Sequence, residues 1–296
     1  MGVKVGTKPR GRPRGSVSKG SSKGGSNGGS GTGSNIISYS PASSYAVPWG
    51  YGVHQTQGFW FDVYWSNKQR KNYCLTPYQI AVLNGLMLGD GYMNINRGAR
   101  GVNPYVYLGQ ALHNFGFLWH AYTALGPLHN GLPGFYAYLD KRTLKWYYRV
   151  QFLTRSAQCF HPLYTLWYPH GAKILPSNDI LIMILGNPIT LAHWVLCDGG
   201  FHSGIRLSTQ GFTYLEVYRI ASVLSYLYGW NVTVQNKTYE SGVKPVLYIP
   251  SESIPHLLQL ITPYYHHSMA YKFGHHWTRM HNISLTTTTP DSAIDK

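Results

Sequence analysis

Acidic side chains are scarce: the 296 residues hold 10 Asp+Glu against 25 Lys+Arg and 14 His, a formal net charge of +15. Such an imbalance points to a polyanionic partner, nucleic acid or an anionic membrane surface. Cysteine is nearly absent. Cys74, Cys159 and Cys197 are too few and too scattered for a disulfide framework or a Cys-rich zinc site. Long apolar runs are missing too. The longest, ILIMILG at 180–186, stops at Asn187-Pro188, well short of the ~20 residues a membrane span needs. What remains is a soluble, basic, globular chain of one large or two small domains, with 25 Tyr suited to strands and stacking surfaces.

The positive charge is uneven. Residues 1–34 carry seven basic side chains and no acid, and 18 of the 34 are Gly or Ser. A segment of this kind cannot bury enough apolar surface to offset its conformational entropy, and reads as a disordered basic arm over about residues 1–45. No amphipathic helix supplies an apolar anchoring face, so nucleic acid is favoured over membrane. Within the arm, Lys8-Pro9-Arg10-Gly11-Arg12-Pro13-Arg14-Gly15 resembles an AT-hook. In that motif an Arg-Gly-Arg core, here Arg10 to Arg12, lies in a narrow A·T-rich minor groove. A generic basic linker has the same composition, and both readings stay open. An organellar transit peptide is a weaker reading, since helical apolar periodicity is lacking.

Residues 46–75 read as a lead-in with little regular structure. From Thr76 the pattern tightens. Thr76-Pro77-Tyr78-Gln79 is a helix start: an N-cap Thr, Pro at the first helical position and Gln three residues after the cap. The helix runs to Asp90-Gly91. Asn187-Pro188-Ile189-Thr190 opens a second such helix that ends at Asp198-Gly199. LNGLMLGDG at 83–91 aligns with LAHWVLCDG at 191–199. The segments that follow also repeat. Strands are expected at 92–96 and 105–111, a helix at 114–125, strands at 135–140 and 146–153, and a helix at 156–167. The second half gives a strand at 204–209, a helix at 213–228, strands at 231–237 and 246–250, and a helix at 252–261. Each half is read as αββαββα, and the chain as an internal duplication of repeats at 76–175 and 176–280, with a tail at 281–296.

Two of the ten acids thus occupy matched helix ends. A carboxylate there opposes the partial negative charge of the helix C-terminus, which calls for a compensating cation. Mg²⁺ takes carboxylate and carbonyl oxygens, and a helix end offers both. A pair of metal-bound carboxylates facing nucleic acid is the equipment of phosphodiester hydrolysis. One Asp-Gly after a helix is an ordinary turn; two in register argue for more.

These residues resemble the two signature motifs of single-chain LAGLIDADG homing endonucleases. The flanking segments agree: Gln110 and His113 after the second strand, GAKILPSN before the second repeat, and SMAYKF at its close. The second motif departs by placing His193 and Cys197 where tight helix packing uses small residues. The resemblance implies an α+β fold of two pseudo-symmetric repeats packed through the motif helices. Their antiparallel sheets would form a DNA-binding saddle. It implies that Asp90 and Asp198 bind the metals and are catalytic, with the carbonyls of Gly89 and Cys197 as further ligands. It implies Mg²⁺, with Mn²⁺ as a substitute and Ca²⁺ supporting binding without cleavage. It also implies an intron-encoded, mitochondrial, monomeric enzyme acting on double-stranded DNA. The alternative on the same scaffold is a group I intron maturase that binds intron RNA. An auxiliary basic residue is expected near the metals, with Arg149 and Lys173 as candidates.

Strand alternation separates the two sheet faces independently. Val150 and Phe152 point inward, turning Tyr147, Arg149 and Gln151 outward. Ile205 and Leu207 point inward, turning Arg206 and Ser208 outward. Val232 and Val234 point inward, turning Asn231, Thr233, Gln235 and Lys237 outward; Tyr105 and Tyr107 share the outward set. Arg with Gln or Asn suits bidentate reading of guanine and adenine edges. His266-His267 and His275-His276 read as surface or packing pairs, because no Cys or carboxylate completes a metal set. Trp119, Trp146 and Trp194 read as core or interface fillers, and Glu216 as a helix-dipole partner.

Overall fold

The computed structural model describes residues 65–95, 103–240 and 242–278. The basic arm with Arg10 and Arg12, most of the lead-in and the C-terminal tail lie outside them. In the first repeat, α1 (Asn67–Asn72) precedes α2 (Pro77–Leu88), β1 (Tyr92–Ile95), β2 (Pro104–Ala111), α3 (Phe115–Leu125), β3 (Gly134–Asp140), β4 (Lys145–Leu153) and α4 (His161–Trp167). The second repeat follows as α5 (Asn178–Leu185), α6 (Pro188–Asp198), β5 (Gly199–His202), β6 (Gly204–Leu207), α7 (Tyr214–Tyr228), β7 (Thr233–Tyr239), β8 (Gly242–Ile249) and α8 (Ile254–Ile261). A 3₁₀ segment, His267–Phe273, closes it.

The duplication is visible in the strand order. One antiparallel sheet runs β1-β2-β4-β3 and the other β5-β6-β8-β7, the same permutation twice. Local chemistry sets the helix ends. Thr76 and Gln79 close a capping box on α2, and Thr213 and Glu216 close one on α7, each satisfying otherwise orphaned N–H groups. Glu216 therefore does more than face a dipole: its second oxygen also accepts from the Leu175 N–H at 2.8 Å, tying the linker between repeats to α7.

Two expectations need correction, and the apolar run gains a structure of its own. The lead-in contains α1, nucleated by a Ser66–Gln69 capping box. The apolar run at 180–186 is α5, whose Leu181, Ile184 and Leu185 are buried. Among the described residues no single helix is long and apolar enough to cross a membrane. The second repeat also gains β5, hidden because Gly199-Gly200 carries little strand signal. It pairs with β6 from Gly199 opposite Leu207 to His202 opposite Gly204. Boundaries shift as well: β6 stops at Leu207, so Ser208 lies just past it, and β7 begins at Thr233, so Asn231 precedes it.

The motif helices α2 and α6 form the centre. From Ala81 to Leu88 and from Ile189 to Cys197 every residue is buried. Helices apolar all round are buried on every side, here by each other and by the surrounding elements. Their contact is close because glycines lie in it. A Cβ on Gly85 would stand 2.5 Å from the Thr190 carbonyl oxygen and 2.7 Å from the His193 Cβ. Thr190 Oγ1 donates to the Ala81 carbonyl at 2.9 Å, and Trp167 Nε1 donates to Asn84 Oδ1 at 3.0 Å. Each buried Leu or Val in this core stabilises the fold by about 1.5–3 kcal/mol.

Candidate functional site

Asp90 follows the C-cap of α2 and Asp198 is the last residue of α6. Helix packing brings them together. Asp198 Oδ2 lies 3.5 Å from where a Cβ on Gly89 would stand, one residue before Asp90. Burial pushes the Asp198 carboxyl well above the usual carboxylate range, and the charge of Asp90 pushes it further. Asp90 is also raised by loss of solvent around its carboxylate, opposed first by the Gln110 hydrogen bond. Gln110 Nε2 donates to Asp90 Oδ2 at 2.6 Å.

Two lysines flank the pair, one at each helix end. Lys173 Nζ donates to the carbonyls of Met87 (2.9 Å), Gly91 (2.8 Å) and Gly89 (3.4 Å). Lys272 Nζ donates to the carbonyls of Leu196 (2.6 Å) and Cys197 (2.7 Å). They answer the negative ends of α2 and α6 respectively. Burial lowers the pKa of both, and the nearby aspartates resist that change. Lys272 escaped the sequence reading. Its signal was present in SMAYKF, the counterpart at the close of the second repeat to the Lys173 segment that closes the first. Arg149, the other basic candidate, sits on the sheet face with its guanidinium 5.3 Å from the Tyr107 ring centroid. It acts on Asp90 through space, less than either lysine.

The strand registers place the outward residues on one face of each sheet. In the first, Tyr105, Tyr107, Arg149, Gln151 and Tyr147 lie with Tyr136 and Tyr138. Tyr107 is only 8% exposed, contrary to a free contact residue: its ring is covered by Tyr92 and Arg149. Its hydroxyl donates to Gln151 Oε1 at 2.6 Å. In the second sheet Arg206 donates to Gln235 Oε1 at 3.2 Å, and Thr233 and Lys237 lie along the same face. Tyr147, Tyr138 and Tyr136 are exposed, as are Lys237 and Thr233. The first face is thus aromatic and the second polar and basic. Their hairpin tips meet in an exposed ion pair, Arg142 to Glu240 at 3.5 Å.

Residues 80–257 match the model of the LAGLIDADG DNA endonuclease family. The chain belongs to that family. Among relatives, the cytochrome b mRNA maturase bI2 of Saccharomyces cerevisiae is 27% identical over 221 residues, 71% of this chain and 51% of its own length. The chain thus spans about half of that relative. The intron-encoded endonuclease ai4 of Dictyostelium discoideum is 33% identical over 132 residues, 44% of this chain and 80% of its own. The solved structure of the homing endonuclease I-WcaI bound to its DNA recognition sequence shares the fold. Its TM-score is 0.61 at 22% identity, covering 70% of this chain and 91% of that one.

In this LAGLIDADG chain the donors at the helix ends are two carboxylates with backbone carbonyls, a set that fits a hard divalent cation. Burial disfavours the charged form of both carboxyls in spite of the two lysines, and a bound cation would favour it. Among the described residues no group of three or more His, Cys, Asp and Glu is placed to share a metal. The paired histidines are packed instead. His266 packs at a tilt against His120 and its Nδ1 accepts from the Ser268 N–H, while His276 bonds Ser251 and packs on Phe201. His193 is fully buried between Phe117 and His120, its Nδ1 donating to the Ile189 carbonyl at 2.8 Å.

Proposed function

We propose that the chain is a site-specific endonuclease that hydrolyses one phosphodiester bond in each strand of a long, pseudo-palindromic DNA target. The observation that carries this reading is the meeting of Asp90 and Asp198 at the ends of two closely packed helices. Asp90 and Asp198 would hold the divalent metal, Mg²⁺ first and Mn²⁺ in its place, with the Gly89 and Cys197 carbonyls as further donors. The metal, when bound, supplies an activated water and stabilises the leaving oxygen. Lys173 and Lys272 hold the helix ends in place and offset negative charge beside the cleaved phosphates. The sheet faces form the saddle over the major grooves. On it Arg149, Gln151, Arg206, Gln235, Lys237, Thr233, Asn231 and Ser208 read bases and phosphates, and the tyrosines Tyr105, Tyr107 and Tyr147 shape the floor. The enzyme acts as a monomer, because one chain holds both halves. The organisation of the repeats at 76–175 and 176–280 follows from the same reading, and the arm through Arg10 and Arg12 adds a minor-groove contact outside the core target. Its setting is mitochondrial, supported by the cytochrome b mRNA and intron named in its relatives.

A maturase that binds intron RNA is the second reading, favoured by the relative of that name and by the exposed tyrosines Tyr136, Tyr138 and Tyr147, which suit stacking on unpaired bases. Incubating the full chain with a randomised DNA library, in Mg²⁺ or in Ca²⁺, separates the two. Sequence-specific cleavage in Mg²⁺ supports the endonuclease and identifies its target. Binding without cleavage in either metal, with both aspartates intact, favours the maturase.

A further inference from the structure

The Gln110 carboxamide is held at both ends. Nε2 donates to Asp90 Oδ2 at 2.6 Å, and Oε1 accepts from Asn114 Nδ2 at 3.1 Å. Asn114 Oδ1 in turn accepts from the Tyr271 hydroxyl at 3.1 Å. Gln110 and Asn114 are 6% and 8% exposed, so water is a poor substitute partner for either amide. Tyr271 belongs to the closing 3₁₀ segment of the second repeat and neighbours Lys272. Three hydrogen bonds therefore run from the end of the second repeat to the carboxylate of the first.

The polarity of this chain follows from its two ends. A carboxylate only accepts, so Gln110 must present its NH₂ group to Asp90 and its oxygen to Asn114. That oxygen needs a donor, which requires Asn114 to turn its own NH₂ inward and its oxygen towards a phenol that can donate. A flip of Gln110 would set its oxygen against the Asp90 carboxylate, and a flip of Asn114 would set its oxygen against that of Gln110. The line makes Gln110 a directed donor, and each link strengthens the next.

Among the described residues the second repeat has no counterpart of this line. Tyr92 stands opposite Tyr107 and Gly200 opposite Arg206, so Thr209 occupies the place that Gln110 has. Thr209 Oγ1 donates instead to the Pro245 carbonyl at 3.0 Å. We infer that Asn114 and Tyr271 are positioning residues for Asp90 alone, so that one half-site depends on a contact across the repeat boundary and the other does not. The catalytic consequence rests on the endonuclease reading; the relay itself does not.

Two variants test it in the full chain: Tyr271→Phe, which removes one hydroxyl from a ring that is 56% exposed, and Asn114→Ala. The first readout is solvent exchange of the Gln110 carboxamide protons in glutamine-¹⁵N-labelled protein, assigned by the signal lost in Gln110→Glu. Exchange should quicken about tenfold in Asn114→Ala and about threefold in Tyr271→Phe, the scale of one neutral hydrogen bond. Unchanged exchange in both would overturn the relay. The second readout is the rate of nicking of each strand of the duplex target in Mg²⁺, with affinity measured in Ca²⁺. Both variants should move the ratio of the two strand rates by about three- to tenfold at unchanged affinity. An equal loss on both strands would overturn the one-sided role. If the parent chain cuts neither strand, the endonuclease reading fails, and the exchange measurement still decides the relay.

Discussion

Gly89 and Cys197 face each other at the ends of the two motif helices, so close that a Cβ on Gly89 would stand 2.4 Å from the Cys197 Cβ. The relation recurs one turn earlier, where Gly85 faces His193. Glycine on one helix makes room for a larger residue on the other, and the departure of the second motif is thereby absorbed. This approach carries Asp198 to within reach of Asp90.

Gly89→Ala should force the helices apart. The expected cost is about 1–3 kcal/mol, the range for overpacking a filled interior, read as a lower denaturation midpoint. Adding Cys197→Gly should recover part of it, less the ~1 kcal/mol that glycine costs within a helix. A neutral Gly89→Ala would mean that the helices are not held at this separation.

Asp90→Asn and Asp198→Asn should each abolish cutting while leaving target affinity in Ca²⁺ within about threefold of the parent, under 1 kcal/mol. Equal loss of affinity and cutting would mark the pair as structural. A carboxyl whose pKa is raised by folding lowers native stability as pH rises from its unfolded value through its native one. Without divalent metal, Asp198→Asn should therefore melt above the parent at neutral pH. The gap should close below about pH 4, where the unfolded carboxyl is itself protonated.

Lys272→Met removes the side-chain donor to the Leu196 and Cys197 carbonyls and a cation that acts on both aspartates. Cleavage should fall by about 10²- to 10³-fold, as when one preorganised electrostatic contact is lost. Anisotropy titration in Ca²⁺ should show affinity retained. A comparable loss in Lys173→Met would establish that the two halves use their lysines alike.

Acid should weaken the fold through its buried histidines. Burial lowers the pKa of His129, His193 and His266 to about 4 from 6.5, so the unfolded chain takes up protons first as pH falls below 6.5. Stability present above that value is lost on the way down to about 4. For the fully buried His193 the loss by pH 5 is about 2 kcal/mol, at 1.36 kcal/mol per pKa unit. Thermal melts from pH 7 to 5 should show this slope in an Asp198→Asn chain, where the opposing carboxyl is gone, and it should be shallower when His193→Gln is added.

Much of the site was legible because its signals are local. The N-cap Thr76 with Gln79, the Pro residues at the helix starts and the two Asp-Gly ends needed no tertiary information. The inward set Val150, Phe152, Ile205 and Leu207 followed from alternation and is buried. Lys272 was missed although SMAYKF holds it at the close of the second repeat, because nothing local shows that its ammonium reaches the end of α6. Nor was the covering of Tyr107, which depends on Tyr92 and Arg149 arriving from neighbouring strands. Strand β5 was lost because two glycines give alternation nothing to act on.

By itself, the sequence determined the duplication, the motif helices, the polyanion-seeking charge and the two matched carboxylates. Each of these is written in spacing or composition within a short stretch. Only the tertiary structure decided which groups meet those carboxylates: Lys173 and Lys272 on the helix ends, and Gln110, Asn114 and Tyr271 in line to Asp90 alone. Those partners lie far apart in the chain, and side-chain distance and burial exist only once the core has packed.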